Sequence, residues 1–271
     1  MSELPKLETL LLERKGGTLQ VWLNRPETKN ALNRQMVRDL TAVADLLAGD
    51  GTLRAAVVRG ANGTFCAGGD INGFKEMFST PAPKPGEKDG IALHNRGFGN
   101  IMTRFEALPQ TIVMVIEGAA YGGGLGLMCG GDVVLATADA KFSISETTLG
   151  VPPAQIAPFV AARIGVARTR RLALTAHRFD GREAAELGLV DQACAGTAAL
   201  EATLPQVLAG IARCSPHANA TTKQLILASR ALPREALLDQ SADAFAECLR
   251  GPEGQEGVTA FLEKRKPKWA L

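Results

Sequence analysis

Apolar positions near the start of the chain fall in two short runs, residues 9–13 and 18–24, on either side of Gly16 and Gly17. Runs of this length bounded by glycine predict two strands joined across a turn. A polar stretch, NRPETKNAL, follows. Over residues 34–47 the period lengthens, and Met36, Val37, Leu40, Val43, Ala44 and Leu47 fall on one helical face. Residues 54–60, 111–118 and 132–137 are short Val/Ile/Leu-rich runs. Continuous apolar runs separated by helical stretches predict strands buried on both faces, and therefore an α/β architecture. Residues 79–90, STPAPKPGEKDG, are too rich in Pro, Gly and Lys for a regular element and predict a mobile surface loop. Helical patterns follow at 91–108, 155–163, 168–175 and 181–187, with a helical tail over 200–266. The pattern divides the chain into an α/β body, residues 1–195, and a helical part, residues 196–271, with no long linker and no internal repeat.

Glycine changes this picture, because its 29 residues cluster where apolar runs end rather than in disordered tracts. GTFCAGGDI, residues 63–71, places two adjacent glycines after a strand. Such a turn brings backbone amides together as an anion-binding nest, or simply redirects the chain. EGAAYGGGLGLMCGGDVVLA, residues 117–136, runs a strand into three glycines and a Gly/Leu-rich helix. That leaves free amides at a helix N-terminus, where negative charge is favoured; close helix packing would use the same glycines. Glu146 stands in a largely uncharged stretch, AKFSISETTLGVPP. A carboxylate desolvated there gains a raised pKa and suits general acid/base work, whereas a surface glutamate would not. The terminal EGVTAFLEKRKPKW carries an apolar face of Val258, Phe261 and Leu262 beside a basic end, either an amphipathic helix with a solvated terminus or a dock for a phosphate.

Charge and composition exclude several classes. A net charge of +2 without a Lys/Arg stripe argues against nucleic acid as partner. No apolar run reaches membrane-spanning length, and the charged N-terminal run reads as a strand rather than a signal peptide. Five scattered cysteines without a C-x-x-C pair fit reduced thiols in the cytoplasm. His94, His177 and His217 have no metal-ligand spacing, so no metal site is expected. Cys66 reads as packing, and Asp132 as a cap or ion-pair partner.

In order and spacing, LNRPETKNALN, FCAGGDI, IEGAAYGGGLGLMCGGDVVLA, FSISETTLGVPP, LTAHRFDGREAAELGLVDQ and AFLEKRKPKW resemble the enoyl-CoA hydratase/isomerase (crotonase) family across nearly the whole chain. The resemblance implies a ClpP-like spiral of ββα units and a C-terminal helical region that covers the active site and forms trimers or dimers of trimers. It implies an acyl-CoA thioester substrate, with coenzyme A as part of the substrate and no separate cofactor. It assigns the two amides that hold the thioester oxygen to Gly69 and Gly123, and the acid/base to Glu146. Contacts to CoA carry over to Lys29, Ala31, Ala67, Asp70 and Ile71. Lys264 matches a lysine that approaches the ribose phosphate from a neighbouring subunit.

Two departures bear on the chemistry. Family hydratases carry a first glutamate in a GGG-x-E pattern, and this chain has Gly126 there, which is expected to open room beside C3 of the substrate. Isomerases of the family often keep only the later glutamate. The segment VPPAQIAPFVAARIG, residues 151–165, resembles bacterial methylglutaconyl-CoA and isohexenylglutaconyl-CoA hydratases instead. The resemblance therefore points to hydration of a branched, carboxylated 2-enoyl-CoA from leucine or acyclic terpene breakdown. A Δ3-Δ2-enoyl-CoA isomerase and a catalytically silent acyl-CoA binder are the alternatives.

Overall fold

In the computed structural model, which describes residues 4–270, the Gly16–Gly17 turn folds β1 (Leu10–Lys15) back on β2 (Thr18–Leu23), with Leu10 opposite Leu23. Met1–Glu3, at the head of the stretch read against a signal peptide, and Leu271 lie outside the described residues. The helix α1 (Arg34–Gly49) starts where the Asn33 side chain accepts the Met36 N–H. It buries Met36, Leu40, Val43, Ala44 and Leu47, the stripe its periodicity predicts. Next come β3 (Ala55–Gly60), the short α2 (Ile71–Met77) and α3 (Gly90–Ala107). Residues 79–89 between α2 and α3 hold no helix or strand and are almost wholly exposed. The chain continues through β4 (Thr111–Ile116), β5 (Ala119–Tyr121), α4 (Gly123–Cys129), β6 (Val133–Thr137) and β7 (Lys141–Ser143). It ends with α5 (Ala157–Ile164), α6 (Val166–Thr175), β8 (Phe179–Asp180), α7 (Gly181–Glu186), β9 (Gln192–Cys194), α8 (Thr197–Arg213), α9 (Pro216–Ala228), α10 (Arg234–Arg250) and α11 (Pro252–Leu262).

The main sheet runs β1-β2-β3-β4-β6-β9, parallel from β2 onward, with β1 as an antiparallel edge. A small sheet, β5-β7-β8, stands beside it. Each turn of the chain contributes first to the large sheet and then to the small one, as β4 leads to β5 and β6 to β7. Earlier turns make the second visit with a single bridged residue, Cys66 against Ala120 and Leu32 against Gly69. The result is a spiral of ββα turns.

Strand alternation buries both faces of the large sheet. Ala56 and Val58 pack with α1 and the spiral interior, whereas Ala55 and Val57 face the other way with Val113, Val115 and Leu135. Leu200, Leu204 and Ile211 of α8 cover that second face. The first helix of the C-terminal part is therefore tied to the body's sheet. The tail predicted as one helical stretch is four helices. Pro216 and Pro252 open α9 and α11, and Pro233 precedes α10, all places where a missing N–H costs nothing. Pro205, by contrast, sits inside α8.

One buried polar anchor joins β1 to α1. The Thr9 N–H and hydroxyl donate to Asp39 Oδ2 at 2.8 and 2.7 Å, and Asp39 is only 4% exposed. Asp39→Ala strands both donors and is expected to lower the unfolding free energy by about 3 kcal/mol. A urea denaturation midpoint unchanged from the parent protein counts against this role.

Candidate active site

The spiral brings three strand ends together beyond β3, β4 and β7. The Cys66 N–H donates to Ala119 O at 2.9 Å, and the Tyr121 N–H returns to Cys66 O at 3.0 Å. On the opposite side, the Leu32 N–H donates to Gly68 O at 2.7 Å and the Asp70 N–H to Leu32 O at 3.0 Å. Those bonds use the groups flanking Gly69, so the Gly69 N–H points away from Leu32, toward the start of α4. Gly123 is the first residue of α4, where an N–H has no intrahelical partner. Among the described residues neither N–H donates a hydrogen bond. A methyl group added at Gly123 would fall 3.8 Å from Gly69 N, and one at Gly68 would fall 3.7 Å from Gly123 N. Two free amides thus flank one small space.

Two glycines make this approach possible. Gly68 has φ +97, and a methyl there would lie 2.9 Å from the Tyr121 carbonyl oxygen. Gly122 has φ +47 and donates its N–H to Ser143 O at 2.9 Å, which registers the end of β7 against the start of α4. Three residues after Ser143, a short 3-10 turn, Glu146–Leu149, begins. Its first side chain arrives over Gly122, where a methyl would sit 2.6 Å from Glu146 Oε1.

Glu146 Oε2 is buried and has no hydrogen-bond partner among the described residues. Burial pushes its carboxyl above the usual glutamate range, opposed in part by the N–H groups of Glu146 and Ser145. A carboxylate of raised pKa beside two free amides can move a proton at a carbon while the amides hold charge on the neighbouring oxygen.

The wall around this space comes from residues to which the sequence assigns no role of their own. Leu32 Cδ1 and Phe98 Cε1 lie 3.0 and 3.7 Å from the position of a methyl at Gly123. Phe74 Cζ lies 2.6 Å from one at Gly69. A methyl at Gly126 would run into the Ile156 side chain, 2.6 Å from its Cβ, with Met102 Sδ 3.4 Å away. This corrects the expectation of open room at Gly126: that glycine is buried, and Ile156 occupies the space. Phe98 and Met102 share a face of α3 at four-residue spacing, a signal that core packing alone would also give.

The residues expected around CoA divide. Lys29, with left-handed backbone at φ 52, accepts the Ala67 N–H on its carbonyl at 2.9 Å, so Lys29, Ala31 and Ala67 lie beside Gly69. Asp70 is committed elsewhere: it takes Arg25 Nη1 at 2.9 Å and caps α2 through the Asn72 N–H. Arg25 also donates to Ala31 O at 2.6 Å, so it braces both segments. Ile71 opens α2 and is exposed. Lys264 is not brought to this site. The segment after it is anchored where Arg54 donates to Trp269 O, before β3, while the site lies past the other end of that strand.

The residues set aside have other partners. Cys66 is buried, its thiol pushed up to about 12 by burial, and Sγ receives the Gly68 N–H at 3.4 Å. His177 Nε2 pairs with Glu183 at 3.0 Å. Asp132 takes the Ile112 N–H and Lys223 Nζ, each at 2.7 Å. Among the described residues, no group of His, Cys, Asp and Glu is arranged to hold a metal, and no helix is long and apolar enough to cross a membrane.

A spiral of ββα turns carrying this cradle is the crotonase fold. The family model for enoyl-CoA hydratase/isomerase matches residues 13–270, and the chain belongs to that family. It is an enzyme of the hydratase type, with acyl-CoA thioesters as its substrate class. A solved structure named Pseudomonas aeruginosa AtuE is 50% identical, with a TM-score of 0.93 over 97% of this chain and all of that one. An enoyl-CoA hydratase/isomerase from Marinobacter aquaeolei is 44% identical, with a TM-score of 0.93 over 97% and 99% of the two chains. A probable enoyl-CoA hydratase of Bacillus subtilis (strain 168) is 31% identical over 89% of this chain and 90% of its own length.

Proposed function

We propose that this enzyme adds water across the double bond of a 2-enoyl-CoA, with Glu146 as its one protein acid/base. The observation that supports this most is the seating of Glu146 over Gly122, directly beside the free Gly123 N–H. The Gly69 and Gly123 amides hold the thioester oxygen as electrons move onto it. Glu146 takes a proton from water as the oxygen attacks C3, and then delivers that proton to C2. One carboxylate serves both steps because the carboxyl it becomes stands beside the enolate it must quench.

The substrate is a branched enoyl-CoA carrying its own carboxylate, isohexenylglutaconyl-CoA or 3-methylglutaconyl-CoA, in terpene or leucine catabolism. Support comes from the likeness of residues 151–165 to the corresponding segment of bacterial hydratases that act on such substrates. The two adjoining segments that hold Lys29 and Ala31, and Ala67, Asp70 and Ile71, receive CoA. Lys264 reaches the ribose phosphate from a neighbouring subunit of a cytoplasmic trimer or hexamer. Exposed Ile226, Phe245, Phe261 and Leu262 on the last helices suit such an assembly.

Ile156 over Gly126 also favours a second reading, isomerisation, since a water-binding second acid is absent there. Product mass separates the two. Incubated with straight-chain, methyl-branched and carboxylated 2-enoyl-CoAs, the enzyme is expected to add one water, and fastest to the carboxylated thioester. A product of unchanged mass from a 3-enoyl-CoA, with no hydration of any 2-enoyl-CoA, overturns the hydratase reading.

A further inference from the structure

We infer that Arg96 and Gln155 form the receptor for a carboxylate on the acyl group. Gly99 of α3 is buried, and a methyl group there would run into Gln155 Oε1, 3.0 Å from its Cδ and 2.8 Å from Arg96 Nη1. The guanidinium and the amide therefore stand side by side against Gly99, and the amide already fills the spot a methyl would take. Both neighbours of that spot in sequence belong to the site wall: Phe98 stands against Gly123, and Ile156 covers Gly126. Met102, one turn further along α3, completes the same wall.

The charges around this spot fit an anionic guest. Arg96 enters no ion pair among the described residues. A substrate carboxylate entering an apolar pocket loses hydration and needs a cation and further donors to offset the loss. The arginine fork supplies two parallel N–H groups, and the Gln155 amide supplies its NH2 once it turns away the Oε1 that now faces Gly99. An uncharged acyl group gains nothing from them, so the pair acts on substrate choice and not on the proton transfers.

This inference rests on the reading that the acyl group carries a carboxylate, and the test separates the two. Steady-state kcat and KM are measured for a carboxylated and an uncharged methyl-branched 2-enoyl-CoA with the parent enzyme, Arg96→Gln, Arg96→Lys and Gln155→Ala. Arg96 is exposed, so its replacement leaves the fold in place. Arg96→Gln is expected to lower kcat/KM for the carboxylated thioester by about 10- to 100-fold, largely through KM, with less than about threefold change for the uncharged one. Arg96→Lys restores part of the loss, and Gln155→Ala shows the same selectivity to a smaller degree. A parent enzyme without preference for the carboxylated thioester removes the substrate reading and the receptor together. A parent preference that survives in Arg96→Gln, or equal losses on both substrates, removes the receptor alone.

Discussion

Glu146→Gln is expected to lower turnover about 100-fold or more, since general acid/base groups contribute roughly 10²–10⁴. Glutamine keeps the shape over Gly122 but cannot carry the proton, so circular dichroism and binding of a non-reactive acyl-CoA should be nearly unchanged. Turnover within threefold of the parent enzyme removes Glu146 from the mechanism. The same substitution has a stability signature. Burial raises the Glu146 pKa in the folded state, so the charged form is penalised there. A group with a raised folded pKa contributes stability below its unfolded value and loses it as pH rises through the folded value. Glu146→Gln should therefore melt higher than the parent enzyme at pH 8, with the gain shrinking as the pH falls toward the ordinary glutamate range. A melting difference independent of pH counts against desolvation as the cause.

Gly122→Ala should be nearly as damaging by another route. The added methyl would stand 2.6 Å from Glu146 Oε1 and 3.1 Å from its Cδ, while φ of +47 and ψ of −120 already exclude most side chains. The carboxylate must move, and the first amide of α4 moves with the strained turn. Loss of one such amide costs about 10²–10³ in kcat, and the backbone strain about 1–3 kcal/mol of stability. Steady-state assays beside thermal melting separate the two effects. A folded variant with full activity would show that neither group needs its present position.

The spiral was legible in the sequence only in part, for physical reasons. Residues 54–60, 111–118 and 132–137 show as strands because both faces are buried over their central positions, 55–58, 112–116 and 133–136, which hold only apolar side chains. The small sheet left no comparable trace. Its strands β5, β7 and β8 are two or three residues long, too short for any periodicity to register. The α2 helix is likewise seven residues with no buried stripe. The four-way division of the tail was written in Pro216, Pro233 and Pro252, yet Pro205 inside α8 shows why proline alone does not settle it.

At the site, glycines and the glutamate announce themselves because they break local rules. Consecutive glycines weaken a helix start, and an acid in an apolar stretch is costly. Leu32, Phe74, Phe98 and Ile156 obey those rules and look like ordinary core. Their role depends on which turn of the spiral they face, and only long-range pairing decides that. Ile156 is the clearest instance. The absence of an acid at position 126 is readable, but not that Ile156 packs against it.

That occupancy orders the substitutions through which this site can change. A glutamate introduced at position 126 meets the isoleucine first, and crowding a packed core costs about 1–3 kcal/mol before any charge is counted. The reverse order is gentler: shrinking Ile156 leaves a cavity that the longer side chain can then enter. The two positions are coupled, so no single substitution installs a second carboxylate here without first making room at Ile156.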